Sequence, residues 1–133
     1  MFRLEHIGIA ISNLEEANKL FTKLLGTSPY KTEEVISEKT STTFYEIDNT
    51  KIELLLATEE ASVIHKFIDR RGEGIHHIAF SVANIYLEIE RLQQLGFEFI
   101  NNIPKEGADN KLICFLHPRS TNGILVELCQ ENK

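Results

Sequence analysis

The sequence predicts an α+β fold: two βαβββ modules whose strands form a cup-shaped mixed sheet. Three observations carry this. The segment His6-Ile-Gly-Ile-Ala-Ile-Ser-Asn13-Leu recurs 71 residues later as His77-Ile-Ala-Phe-Ser-Val-Ala-Asn84-Ile. Each half ends on an apolar run around a glutamate, Lys51-Ile-Glu53-Leu-Leu and Leu125-Val-Glu127-Leu-Cys. In both halves a period-two strand pattern gives way to a capped helical stripe and then to further strands.

Residues 2–11 read as a strand with Ile7, Ile9 and Ile11 on one face and His6, Gly8 and Ala10 on the other. The isoleucines can pack on a helix, and the small residues leave space beside the histidine. Ser12 or Asn13 caps a helix with Glu15 and Glu16 in its first turn, where the dipole favours anions. Its apolar stripe is Leu14, Ala17, Leu20, Phe21, Leu24 and Leu25, and Gly26 ends it. Strands follow around 30–36, 40–47 and 50–56, the last two joined by a hairpin at Asp48-Asn49. Thr58 is the candidate cap of a connecting helix. Glu59 and Glu60 lie in its first turn, its stripe is Val63, Ile64, Phe67 and Ile68, and Arg70 and Arg71 stand at its end.

The second half repeats the plan. Residues 75–82 form a strand with Ile78, Phe80 and Val82 on the packed face. Asn84 caps a helix carrying Ile85, Ile89, Leu92 and Leu95, closed by Gly96. Strands follow around 97–101, 111–116 and 123–129. Residues 104–110, rich in Pro, Gly and Asn, read as a loop at the cup mouth. The organisation is one domain over 1–133: module one 1–57, connecting helix 58–74, module two 75–133.

With 133 residues and 42% apolar content, the chain can bury a core without staples. A formal net charge of -6 argues against nucleic acid as a partner. No apolar run has the length of a membrane helix, and Met1-Phe-Arg-Leu-Glu has no signal-like apolar core. Cys114 and Cys129 lie in strand-like runs and read as reduced, buried thiols. The expected compartment is the cytoplasm.

Glu53 and Glu127 each sit between apolar neighbours that point to the helix-packed face, so the carboxylates point the other way, with the histidines. Unpaired carboxylates in such strands would be costly, and a metal removes that cost. His6, Glu53, His77 and Glu127 are therefore the candidate ligands of one divalent ion. His77 rather than His76 is the ligand because His77 aligns with His6 in the repeat, while His76 aligns with Glu5. His76 is then a packing histidine, His65 an exposed one on the connecting helix, and His117, before Pro118, a turn residue. Two imidazoles and two carboxylates suit Co, Ni, Mn, Fe or Zn without selecting one.

These features resemble the vicinal oxygen chelate superfamily, which includes the glyoxalases and bleomycin-resistance proteins, and within it the methylmalonyl-CoA epimerases. The matching runs are His6-Ile-Gly-Ile-Ala-Ile, Asn49-Thr-Lys-Ile-Glu-Leu-Leu, Gly72-Glu-Gly-Ile-His-His-Ile-Ala-Phe, and Phe115-Leu-His-Pro-Arg followed by Gly123-Ile-Leu-Val-Glu-Leu. The resemblance implies an enzyme that interconverts (R)- and (S)-methylmalonyl-CoA by 1,1-proton transfer through a metal-stabilised enolate. It implies cobalt as the metal, an acyl-CoA substrate and a homodimer. It also gives Glu127 two roles, ligand and acid–base catalyst. The second glutamate that some bacterial epimerases of the family carry aligns on Thr42 or Thr43, and threonine is a poor base. Glu46 shares strand parity with Thr42 and is the candidate substitute; Glu38, Glu53 or a bound water are the others. Arg70, Arg71, Lys105, Lys111 and Arg119 are candidate cations for CoA phosphates. The alternatives are a glyoxalase-type lyase or isomerase acting on a thiol adduct and a metal-free binding protein of the same fold.

Overall fold

The computed structural model describes residues 2–132. The chain divides into two compact units, one of residues 6–76 and one of residues 77–133 together with 1–5. The divide cuts the first strand after Glu5 and the fifth after His76. Among the described residues, no helix is long and apolar enough to cross a membrane.

The first unit runs β1 (Arg3–Ile11), α1 (Leu14–Leu25), β2 (Lys31–Val35), β3 (Thr40–Ile47), β4 (Thr50–Ala57) and α2 (Val63–Arg71). Its strands lie in the order β2-β3-β4-β1, with β1 parallel to β4 and the other pairs antiparallel. Asn13 is the cap of α1, its side-chain oxygen accepting the Glu16 N–H at 3.0 Å. Gly26 ends the helix in the left-handed region, at φ 71, where a side chain would be strained. Leu14, Ala17, Phe21 and Leu25 pack on Ile9, Ile11, Tyr45, Ile52, Leu54 and Leu56. The buried Tyr45 hydroxyl meets Thr22 Oγ1 at 3.0 Å and donates to Asn18 Oδ1 at 3.1 Å. Leu20 and Leu24 belong to the expected stripe but are 55% and 69% exposed. The sheet meets one edge of that wide stripe, and these two leucines fall outside it.

Two expectations are corrected in α2. It starts at Ser62, not Thr58, and the Ser62 hydroxyl accepts the Ile64 N–H at 3.1 Å. The Thr58 N–H instead donates to the Lys39 carbonyl at 2.9 Å, which holds the chain to β3 for longer and delays the helix. Val63, expected in the stripe, is 56% exposed. Ile64, Phe67 and Ile68 pack on Ala10, Leu55 and Ala57. That part of the histidine-bearing face is therefore covered by α2 rather than open.

The second unit runs β5 (Gly74–Ser81), α3 (Ile85–Gln94), β6 (Phe99–Gly107), β7 (Lys111–Leu116) and β8 (Val126–Glu131). The order β5-β8-β7-β6, with β5 parallel to β8, repeats the first unit's connectivity. Asn84 Oδ1 accepts the Tyr86 and Leu87 N–H groups, both at 3.1 Å. Ile85, Ile89 and Leu92 pack with Val82, Cys114, Leu116 and Leu128. Leu95 is the C-cap residue and is 64% exposed, outside the stripe expected for it.

Residues 104–107, expected in a loop, belong to β6. The strand absorbs Pro104 through register shifts between Phe99 and Asn101 and between Asn101 and Lys105. Proline removes a backbone donor and is tolerated on an edge strand with such irregularities. Gly107 then lies so close to β7 that a Cβ there would stand 2.8 Å from Ile113 Cδ1.

Candidate metal centre

In the first unit, strand register sorts the side chains. His6 pairs with Lys51, Gly8 with Glu53 and Ala10 with Leu55 across the parallel β1/β4 ladder. Residues opposite one another share a face, so His6, Gly8, Ala10, Glu53 and Leu55 lie together, away from α1. His6 Nδ1 is 3.1 Å from Glu53 Oε2, both side chains 6% exposed. In the second unit His77 Nε2 is 3.2 Å from Glu127 Oε1, both 7% exposed.

Each glutamate occupies a matched cross-strand row. Glu53 lies between Gly8 and Phe44, and Glu127 between Ala79 and Phe115. Each carboxylate is thus flanked by a small buried residue on one side and by a phenylalanine on the other. These flanking pairs were not singled out from the sequence. The signal was available, because Phe44 and Phe115, like Gly8 and Ala79, are separated by the same 71 residues as the histidines.

The donor set fits a divalent ion. Neighbouring ligands held about 2.1 Å from one ion stand about 3.0–3.4 Å apart, according to octahedral or tetrahedral geometry. The two imidazole–carboxylate spacings fall in that interval. Buried glutamates at 4% and 5% exposure are costly without a partner, and each has an imidazole nitrogen beside it, at 3.1 Å and 3.2 Å.

The other candidates are placed as follows. The His76 ring meets the Phe67 ring edge-on at 5.0 Å, and the His77 ring meets Phe115 the same way at 5.9 Å. His65 Nε2 lies 3.6 Å from Asp69 Oδ2 on α2. His117 Nδ1 accepts the Arg119 N–H at 3.1 Å, within the turn. Thr42 is buried on the Glu53 face, in register with Leu55, whereas Thr43 faces α1 and bonds Thr32 Oγ1 at 2.9 Å. Glu46 is exposed near the hairpin, opposite Lys51. Glu38 lies in a short 3-10 turn between β2 and β3.

Among the candidate cations, Lys111 is buried, with Asp109 Oδ2 at 3.5 Å and Glu5 Oε2 at 3.9 Å. Arg119 pairs with Glu98, and Arg71 lies over the Phe67 ring at 5.9 Å. The Cys114 thiol is pushed up to about 12 by burial and then by the negative charge of Glu127.

Comparison with known proteins identifies relatives of the chain and of its fold. Residues 5–115 match the family model of the glyoxalase/bleomycin resistance protein/dioxygenase superfamily. The ethylmalonyl-CoA/methylmalonyl-CoA epimerase of Cereibacter sphaeroides is 37% identical over 96% of this chain and 97% of its own length. The crystal structure of a hypothetical protein from Bacillus halodurans superposes with a TM-score of 0.96 at 39% identity, covering 99% of this chain and 96% of that one. A point variant of Streptomyces coelicolor methylmalonyl-CoA epimerase, in complex with 2-nitronate-propionyl-CoA, gives 0.92 at 28% identity, covering 97% and 94%.

The chain belongs to the methylmalonyl-CoA epimerase family, within the glyoxalase superfamily. It is an enzyme of the epimerase class, with the vicinal oxygen chelate fold. This chain has two imidazole–carboxylate pairs, His6 with Glu53 and His77 with Glu127, and threonines at positions 42 and 43, where the sequence resemblance places a second catalytic glutamate.

Proposed function

We propose that the chain is a metal-dependent epimerase interconverting (R)- and (S)-methylmalonyl-CoA. The observation that carries the reading is the duplicated pair, His6 with Glu53 and His77 with Glu127, in a chain of this family. Under this reading the four side chains hold one divalent ion, cobalt by family resemblance, with zinc, nickel or manganese as substitutes. The ion supplies Lewis acidity that stabilises negative charge developing on substrate oxygens.

The chain's own residues do the rest. Glu127 holds a carboxylate oxygen ready for the α-proton of one epimer and returns a proton to the same face in the reverse direction. Gly8 and Ala79 put no bulky side chain beside the glutamates. Phe44 and Phe115 limit water around the exchanging proton. A group on the opposite face completes the inversion.

The test is α-proton exchange of methylmalonyl-CoA in deuterated water, followed by NMR, on protein purified without a His-tag and analysed for bound metal. Deuterium uptake at the α-carbon with about one ion per chain is the expected result. Metal-loaded protein that leaves the α-proton in place would refute the reading. The name of the Cereibacter relative motivates a second substrate, ethylmalonyl-CoA, in the same assay.

A further inference from the structure

Resting on the epimerase reading, we propose that Glu33 is the second acid–base catalyst. Inversion at an α-carbon needs a proton donor on the face opposite the acceptor. Family resemblance places that group on β3 at Thr42 or Thr43; only Thr42 shares the Glu53 face, and a threonine hydroxyl is a poor base.

The register shows what stands beside it. Thr42 is paired with Leu55 on one side and with Glu33, on β2, on the other. The adjacent row on the same face is Lys31, Phe44, Glu53 and Gly8. Two side-chain distances fix the direction of the β2 residues. Lys31 Nζ lies over the Phe44 ring, 4.7 Å from its centroid, and the same ammonium is 3.7 Å from Glu33 Oε1. Glu33 therefore lies on the face that carries Glu53 and His6.

One strand spacing, about 4.8 Å, separates the β2 and β3 backbones, and a glutamate side chain spans about that distance. A threonine at position 42 leaves that path lower than a glutamate would. The position also has the right environment. The Glu33 side chain is 36% exposed, so its carboxylate can rotate and exchange protons with solvent. Its row runs through Thr42 to Leu55 and Ala10, on which α2 packs, and Thr40 Oγ1 meets the α2 cap Ser62 Oγ at 3.3 Å. Glu33 thus lies toward the walled end of the face. Glu46 stands on the other side of the Glu53 row, exposed at the hairpin and opposite Lys51. Glu38 lies outside the strand rows, and Glu53 is engaged with His6.

The transfer balances with two carboxyl groups. Ionised Glu127 takes the α-proton of one epimer; the C–H bond breaks and its electron pair moves to the thioester oxygen. Protonated Glu33 gives its proton to the other face; a new C–H bond forms as the pair returns to carbon. Glu127 then holds a proton and Glu33 a charge, ready for the opposite epimer or reset by solvent.

The experiment separates Glu33 from the wider reading. In deuterated water, Glu33→Gln should lose epimerisation by about 100-fold or more. It should keep its bound metal and still exchange the α-proton of the epimer that Glu127 serves. Glu34→Gln, the same charge change on the other face of β2, should behave as wild type. Adding Thr42→Glu to Glu33→Gln should restore at least about tenfold of the lost epimerisation, a rescue that a purely structural role of Glu33 does not predict. Should Glu33→Gln fail to fold, Glu33→Asp keeps the charge and should lower kcat about tenfold with KM and metal content held. Epimerisation within about threefold of wild type in whichever variant folds overturns the proposal. So does loss of exchange from both epimers with metal intact, or loss of turnover in Glu46→Gln alone. No exchange in the metal-loaded wild type overturns the epimerase reading as well.

Discussion

The two modules share a strand plan and a three-residue row, small–Glu–Phe, but they surround that row differently. In the first unit Phe44 is fully buried, with the Tyr30 ring 5.9 Å away and Lys31 over its face. Its neighbours on β2 and β3 are polar: Glu33, Thr42, Thr40. In the second, Phe115 is half-buried and meets the edge of the His77 ring, and Ile113 stands where the first unit has Thr42. Both units hold the imidazole–carboxylate pair. The rows next to it differ, and those of the first unit are polar.

The largest effect should come from removing the carboxylate to which the reading gives two roles. Glu127→Gln should abolish α-proton exchange, by at least about 10³-fold, and reduce bound metal. Glu53→Gln should reduce bound metal similarly, yet keep residual exchange when metal is supplied in excess. Elemental analysis and NMR exchange on the two variants read the difference. Equal residual exchange would remove the second role from Glu127.

The histidines test the same asymmetry one step lower. His77→Ala should weaken metal affinity by more than about 100-fold, since even outer partners of metal ligands are worth 10–100-fold. His76→Ala should leave metal content near the wild-type value and act through the Phe67 contact on stability. Titration with a chromogenic chelator distinguishes them, and metal loss on the His76 change alone would reverse the assignment.

Stability should separate the two phenylalanines. Phe44→Ala removes a side chain with no exposed surface and should cost about 3–5 kcal/mol in denaturant unfolding. Phe115→Ala, half-buried, should cost less, about 2 kcal/mol. A larger loss at Phe115 would mean that its apolar wall bears more of the packing than burial indicates.

The plan of each module was legible because the repeat reports on itself: matched histidines, matched asparagine caps and matched terminal glutamates all need one explanation. Strand parity was legible too, which is why each glutamate could be assigned a face. Element ends were not. Thr58 and Ser62 are equivalent as caps in isolation, and only the bond from Thr58 N–H to the Lys39 carbonyl, between residues distant in sequence, decides between them. Residues 104–107 have loop composition but are held in β6 by an edge strand's tolerance of irregular register. Glu33 was invisible for a further reason. Its placement beside Thr42 depends on how β2 registers on β3, and two short polar strands contain little that specifies register.

The smallest expected effect concerns Cys114, and its sign can be worked out. The thiol lies on the α3-packed face of β7, and its pKa rises from 9.0 to about 12, chiefly through burial. The folded protein therefore binds this proton more tightly than the unfolded chain does. Stability from this group is fully present below about pH 9 and is lost as pH rises from there through about 12. Cys114→Ala, although it loses some packing at neutral pH, should have a shallower alkaline limb than wild type in urea midpoints measured across that window. The native thiol should also resist alkylation at pH 8, where an unfolded cysteine reacts readily. Two observations would break the assignment: rapid alkylation of Cys114 in the folded protein, or an alkaline limb unchanged by the substitution. Either would mean that the second unit opens around β7 more easily than its buried core indicates.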